Sequence, residues 1–280
     1  MDNREHPEPR SATLSHQGPT SSRRTPVPHG SEPGPRGSGP GPRGSGPGPR
    51  GSGPGVITPD GCSVELYGLL PSMGEPEIVH DAIPPGASIL ELGAGAGRMT
   101  HPLVALGHPV VAVDESGEML ARIRGAVTVQ ARIQEFDLRR RFDAVVLASF
   151  LVNEPDDDLR GRFLRVCRNH VGDDGCVLVQ RHPAAWFDEA AEGERTSGGI
   201  TFRLRDLAQP APGLLSATVE YQVGERVWTQ WFTARRLDDG ALAAVLTGAG
   251  LAVDGYLTGD GSWVRAVPVS RGEALGRSPR

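Results

Sequence analysis

The chain is 280 residues long, with 38 Gly, 25 Pro and a net charge of −5. All 29 of its basic side chains are Arg, and the absence of Lys excludes Schiff-base, pyridoxal-phosphate and P-loop lysine chemistry. Cys62, Cys167 and Cys176 form no C-x-x-C pair, no apolar run reaches the roughly 18 residues of a membrane span, and the N-terminus has no apolar signal core; a zinc cluster, a disulfide framework and export are therefore not expected, and a reduced, cytoplasmic setting is.

Residues 1–55 hold 12 Gly and 12 Pro but only four apolar side chains, Met1, Ala12, Leu14 and Val27. Such a segment cannot offset its ordering entropy by burial. It carries +3, while the rest of the chain carries −8. Residues 34–54 are three consecutive copies of G-P-R-G-S-G-P. A period of seven cannot place Gly at every third position of a triple helix, so collagen is excluded. The composition predicts a disordered, partly polyproline-like arm, either a spacer or an Arg-bearing arm for an anionic partner. A globular domain over 56–268 and a flexible polar tail over 269–280 are expected to follow.

Within the domain, Ser63–Leu70 and Glu75–Ala82 read as helices, stopped by Pro71 and by Pro84-Pro85-Gly86. Ser88–Leu92 is a short apolar strand, Gly93–Gly97 a glycine-rich turn and Met99–Leu106 a helix. Pro109–Val113 is a second strand closed by Asp114, and Glu118–Arg124 a helix ending at Gly125. Val127–Gln130, Phe142–Ala148 and Gly175–Gln180 are further strands, with a helix over Asp157–Asn169. Alternating strands and helices predict a mostly parallel sheet covered on both faces. Then the rhythm changes. Thr201–Leu207, Leu215–Val223 and Arg226–Thr233 alternate like antiparallel strands, with Trp228 and Phe232 on one face and Trp231 on the other. A helix over Leu237–Leu246 and strands over Leu251–Tyr256 and Trp263–Val267 complete the chain.

The most informative segment is Glu91-Leu92-Gly93-Ala94-Gly95-Ala96-Gly97-Arg98, between a strand and a helix. Its glycines permit a tight turn and close approach of a ligand, and the following helix start is expected to offer exposed N–H groups. A dinucleotide fingerprint needs Gly or Ala at position 98, where this chain has Arg. Asp114 suits a carboxylate that receives two ribose hydroxyls, an arrangement common to both cofactor classes.

E-L-G-A-G-A-G followed by V-V-A-V-D-E-S-G-E-M-L, and then F-D-A-V-V-L-A-S, resembles the class I S-adenosylmethionine-dependent methyltransferases over about Ser63–Val267. The resemblance is to the small-molecule branch common in high-GC bacteria. It implies a doubly wound, Rossmann-like, mostly parallel seven-stranded α/β sheet with an antiparallel insertion after the fifth strand. It also implies S-adenosyl-L-methionine as cofactor. By the same resemblance, Glu91 and carbonyls near Gly93 serve the cofactor's ammonium. Gly93, Ala94, Gly95 and Gly97 line its path, and Asp114 accepts from the ribose. Glu115 and Met119 flank the adenine, although Met119 also fits simple core packing. Arg132 stands where relatives often have an acid, so the backbone of Arg132–Ile133, or Gln134, is expected to meet the adenine. Ser149 is expected to face the methionine part, and Arg98 to make a helix-surface ion pair.

On the acceptor side, His182 is the candidate general base because an ordinary imidazole titrates near neutrality; bracing a loop is its alternative. Asn153 either orients substrate or caps the next helix. Arg181 is a candidate substrate contact, and Trp186 either walls a cationic centre or packs on the sheet edge. Tyr67 either closes over the cofactor or packs in the core. The antiparallel insertion is expected to roof the acceptor pocket. No metal is implied. A nucleic-acid methyltransferase and a non-catalytic cofactor-binding protein are the competing functions; the acidic domain and the lack of N-P-P-Y disfavour the first.

Overall fold

Apolar runs and glycine punctuation build the elements in the expected order over residues 50–269, the part of the chain that the structure, a computed structural model, describes. The elements are β1 (Gly51–Ser52), α1 (Val64–Tyr67), α2 (Glu75–Asp81), β2 (Ile89–Leu92), α3 (Thr100–Ala105), β3 (Val110–Asp114), α4 (Gly117–Leu120), β4 (Val127–Gln130), β5 (Phe142–Leu147), α5 (Asp157–His170), β6 (Val171–Gln180), α6 (Ala184–Glu189), β7 (Gly193–Ser197), β8 (Ile200–Ala208), β9 (Leu214–Val223), β10 (Arg226–Arg235), α7 (Asp239–Gly248), β11 (Leu251–Tyr256) and β12 (Trp263–Pro268). Single 3-10 turns, Ile133–Glu135 and Leu151–Asn153, follow β4 and β5.

The main sheet has seven strands in the order β11-β12-β6-β5-β2-β3-β4. The last five pair in parallel, and β12 runs antiparallel to both β6 and β11. Parallel strands between two helix layers must be apolar on both faces, which is why β2, β3 and β5 carry nearly continuous apolar runs. Val79 of α2 with Met99 and Leu103 near α3 cover Ile89, Val110 and Val146. Phe163 and Leu164 of α5 with Leu242 and Leu246 of α7 cover Leu90, Val111 and Leu147 on the other face. The chain runs from β2 outward to β3 and β4, then returns to β5 on the opposite side of β2. That reversal is the switch point at which open α/β sheets form ligand crevices, and the glycine-rich turn sits there. Among the described residues no helix is long and apolar enough to cross a membrane.

A second, antiparallel sheet runs β1-β10-β9-β8-β7, which realises the expected insertion and adds two strands. β7 (G-E-R-T-S) has no apolar alternation; it is fixed by the turn at Gly198 and Gly199, whose φ values are 59° and 78°. β1 lies inside the segment expected to be a disordered arm, and here the expected boundary after Gly55 is corrected. Gly51 and Ser52 pair with Gln230 and Thr229. The Trp231 N–H donates to the Arg50 carbonyl (2.7 Å), and the Trp228 indole N–H to the Pro54 carbonyl (2.9 Å). A Cβ on Gly53 would lie 2.4 Å from the Trp228 ring. A segment without apolar side chains builds no core of its own, yet it supplies backbone to an open strand edge and lets an indole approach it closely. The rest of the expected arm, residues 1–49, and the tail from residue 270 lie outside the described residues.

This docking makes the truncations distinguishable. Deleting residues 1–49 is expected to leave the Tm unchanged. Deleting 1–55 uncovers the β10 edge and Trp228 and lowers the Tm by roughly 5 °C in calorimetry.

Candidate functional site

Three glycines after β2 hold left-handed backbone, with φ of 72° at Gly93, 56° at Gly95 and 90° at Gly97. Side chains rarely adopt this region, and space forbids them too. A Cβ on Gly93 would stand 2.9 Å from Leu151 Cδ1, and one on Gly97 2.8 Å from His101 Cε1. The N–H groups of Gly93 and Ala94 both donate to the Val113 carbonyl (2.8 and 2.9 Å). The Gly95 N–H donates to Asp114 Oδ2 (2.8 Å) and the Ser116 N–H to Oδ1 (2.9 Å). These donors are spent within the loop, and α3 starts only at Thr100. The turn's own N–H groups at Gly93, Ala94 and Gly95 are thus not offered to a ligand, whereas the expected donors were those of the helix start that follows.

Glu91 points from β2 towards α3 and is 3% exposed. It accepts from the Thr100 hydroxyl (2.6 Å). Burial pushes its carboxyl up to about 7, opposed by the Thr100 hydrogen bond and the Arg98 charge. Arg98 itself pairs with Glu75 at 2.5 Å, the ion pair expected for it, but from the turn before α3 and to a buried carboxylate rather than on a helix surface. Burial also raises Asp114, opposed by the N–H groups of Ser116 and Gly95. Neither Glu91 nor Asp114 forms an ion pair within 4.0 Å among the described residues. A buried carboxylate in this position is chemically matched to a cation.

Beside them, Glu115 pairs with Arg132 (3.5 Å), which also reaches Glu135 (3.8 Å). Ile133 leans over the glycine turn, its Cδ1 3.7 Å from the Cβ position of Gly93. Met119 is corrected as a cofactor contact. It is 2% exposed and packs with Val64 and Ala96, because α4 turns it into the core.

The edge beyond β5 is strained. Ser149 and Phe150 both hold left-handed φ, 53° and 60°, uncommon for non-glycine residues and concentrated at functional sites. The Ser149 N–H is fixed by Gln180 Oε1 (2.8 Å). Leu92, Leu147 and Val179 are in register on neighbouring strands, so the residues that follow them converge. There the His182 ring lies between Phe150 (centroids 3.8 Å apart) and Trp186 (4.0 Å), with Phe232 at 6.4 Å. Burial lowers the imidazole to about 4. His182 is thus neutral at pH 7 and a weak base, and the ground for expecting a near-neutral general base is removed. Trp186 is half-buried and forms the outer leaf of this stack.

Two substrate candidates are corrected. Arg181 is 3% exposed; its guanidinium donates to the carbonyls of Gly261 (2.8 Å) and Leu237 (3.2 Å) and to Asp239 Oδ1 (2.5 Å), tying β6 to the β11–β12 turn. Asn153 is 2% exposed and donates to the Arg235 carbonyl (2.8 Å) while accepting from the His182 N–H (2.8 Å). It caps no helix: Asp156 caps α5, accepting from the N–H groups of Asp158 and Leu159. Both polar side chains are consumed in holding the site's backbone.

The antiparallel sheet divides as its alternation requires. Trp231 is exposed on the outer face, while Trp228, Gln230 and Phe232 share the inner one. Trp228 is fully buried beneath Pro54, whereas Phe232 is half-buried beside Trp186. Gln230 completes a cluster that the sequence did not announce. Its Oε1 accepts from the Tyr67 hydroxyl (3.1 Å), and its Nε2 donates to Cys62 Sγ (3.1 Å). Cys62 Sγ stands 3.2 Å from both Tyr67 Oη and Asp60 Oδ2. Tyr67 Cδ1 lies 3.6 Å from the Cβ position of Gly95, and the ring also packs against the Val64–Ala96–Met119 cluster. Burial raises both the Tyr67 phenol and the Cys62 thiol, so each keeps its proton at neutral pH.

Residues 89–175 match the family described as "Methyltransferase domain". A ubiquinone biosynthesis O-methyltransferase of Bradyrhizobium sp. strain ORS 278 is 33% identical over 109 residues, which are 36% of this chain and 42% of that protein; the chain thus spans about two fifths of the curated relatives it matches. Among solved structures, the CcbJ methyltransferase of Streptomyces caelestis superposes with a TM-score of 0.60 at 20% identity, over 74% of this chain and 96% of that one. An amino pentose methyltransferase of Micromonospora echinaspora, solved with S-adenosylmethionine bound, gives 0.57 at 21% identity, over 73% and 95%. The matched motif, the strand order and these likenesses agree: residues 89–175 are similar to the methyltransferase domain, and the fold is the one these solved methyltransferases share.

Proposed function

We propose that the protein moves a methyl group from S-adenosyl-L-methionine to a small-molecule acceptor by in-line displacement. The observation that carries this reading is Glu91, a buried carboxylate without an ion-pair partner among the described residues, standing beside the Gly93–Gly97 turn and Asp114 at the switch point. Glu91 holds the cofactor's ammonium. Asp114 accepts from the ribose diol with lone pairs not used by Gly95 and Ser116. Ile133, with Glu115 and Arg132 at the rim, borders the adenine, and Ser149 faces the methionine part. The cofactor supplies a methyl already activated on a sulfonium, so the protein's task is alignment and exclusion of water. Tyr67 and the inner face of β10 close the site from one side, and the Phe150–His182–Trp186 stack from the other.

The relatives named above are an O-methyltransferase and an amino pentose methyltransferase, so the acceptor atom must be read from this chain's own residues. Calorimetry is expected to show S-adenosylhomocysteine binding, and Asp114→Ala is expected to weaken it at least about tenfold, the loss of a charge-assisted hydrogen-bond pair. An unchanged Kd would remove the site assignment. Mass spectrometry of a cell extract incubated with labelled cofactor tests the transfer itself.

A further inference from the structure

We infer that a cleft of about 470 Å³ beside the glycine turn binds the phosphate group of a small phosphomonoester with an apolar body. The inference goes beyond the methyl-transfer reading and does not rest on it. The walls come from the end of α1, the start of α3 and the end of α4. A Cβ on Gly93 would face Leu151 and Ile133, whereas one on Gly97 would face His101 and Ile123. The turn thus has the switch-point crevice on one side and this cleft on the other. Arg98, His101, Arg122 and Arg124 line the cleft, and no Asp or Glu does. The chain beyond residue 55 carries −8, so a hollow with three guanidinium groups and no acid runs against the charge of its own domain.

Most of the donors in the cleft are unspent. Arg122 makes no ion pair and no side-chain hydrogen bond among the described residues. Its Nη1 lies 2.5 Å from the Cβ position of Gly68, so the guanidinium reaches across bare backbone. Arg124 gives only Nη1 to the protein, donating to the carbonyls of Ala121 (2.6 Å) and Ile123 (2.9 Å), and pairs with no carboxylate among the described residues. His101 Nε2 accepts the Arg124 backbone N–H (3.0 Å). The ring proton therefore sits on Nδ1, which lies beside Gly97 and has no partner among the described residues. Arg98 is already paired with Glu75, so the unbalanced charges are those of Arg122 and Arg124. A phosphomonoester carries about two negative charges near neutral pH and three acceptor oxygens, the complement of two guanidinium forks and an imidazole N–H. Leu70, Pro102 and the Tyr67 ring give the same hollow apolar walls, which suit an organic body better than a bare ion. A nucleic-acid backbone needs a basic stripe that follows many phosphates; here the basic groups are gathered in one hollow of an acidic domain, which favours a small ligand.

The test is calorimetry of the full chain with phenyl phosphate and with inorganic phosphate. Phenyl phosphate is expected to bind with a Kd at least about fivefold below that of inorganic phosphate, and both to weaken as salt is raised. The double variant Arg122→Ala, Arg124→Ala is expected to raise the phenyl phosphate Kd at least about tenfold. Both side chains are exposed, so the variant should keep the parent's Tm and its Kd for S-adenosylhomocysteine. Lys at both positions should recover only part of the affinity, since it restores the charge without the fork. Binding of neither phosphate, or an affinity that the double variant keeps, would overturn the inference. So would displacement of phenyl phosphate by S-adenosylhomocysteine, because the cleft would then belong to the cofactor site. Inorganic phosphate bound as tightly as phenyl phosphate would overturn the organic body. A single-stranded RNA that binds through Arg122 and Arg124 where phenyl phosphate does not would overturn the small ligand.

Discussion

Glu91→Gln is expected to weaken S-adenosylhomocysteine binding at least about tenfold at pH 8 and, in the ligand-free protein, to raise stability at the same pH. Both effects follow from one carboxyl group buried on β2 with a single side-chain hydrogen bond, from Thr100. Burial raises its folded pKa to about 7, above the ordinary value of 4.5. The folded protein then holds this proton more tightly than the unfolded chain does. Below the ordinary value both states are protonated and no stability is lost. As pH rises from there towards 7 the unfolded chain ionises first, and the fold loses about 3 kcal/mol, a loss that stays constant above 7. The amide of Glu91→Gln has no charge to desolvate, so its urea-unfolding free energy should exceed the parent's at pH 8 and match it near pH 4. An ammonium beside Glu91 favours the carboxylate, so ligand binding should release a proton near pH 6 and tighten as pH rises through 7. A variant with parental affinity and a flat stability difference would show that Glu91 is a passive part of the sheet.

Arg181→Ala is expected to cost about 3 kcal/mol of stability, roughly 8 °C in Tm, with little change in cofactor affinity. The guanidinium satisfies the carbonyls of Gly261 and Leu237 and pairs with Asp239, while its plane lies 5.5 Å from the Tyr256 ring centroid. Removal leaves two carbonyls facing a cavity where water must replace a fixed donor fork. Arg181→Lys should recover only part of the loss, since an ammonium is a point donor and cannot span both carbonyls and the carboxylate. Had Arg181 been a substrate contact, its loss would raise KM and leave the Tm alone. Thermal denaturation read beside cofactor calorimetry separates the two.

Much of the parallel sheet and of its glycine turn was legible from local pattern. The apolar runs at Ile89, Val110 and Phe142 could only be buried parallel strands, and three glycines before Arg98 could only be a turn of unusual backbone. The acid at the end of the second strand follows from the same adjacency, because neighbouring parallel strands bring their carboxyl ends together. Met119 was ambiguous because helical spacing alone does not say which side of a four-residue helix meets the core. His182 was misread in its chemistry: an imidazole's pKa depends on what encloses it, and Phe150, Trp186 and Phe232 come from three separate segments.

By itself, then, the sequence determined the α/β class, the glycine turn and the place of Asp114 at the end of the second parallel strand, because each depends on residues close together in the chain and on a strict periodicity. Only the tertiary structure decided that Gly51 and Ser52 of the last Gly-Pro repeat form a strand, that Arg181 and Asn153 are braces, and that Cys62 and Tyr67 meet Gln230, Tyr67 across 163 positions. A strand without side chains leaves no apolar pattern, and a hydrogen bond between distant segments leaves no spacing. Both are set by where the antiparallel sheet comes to rest on the parallel one.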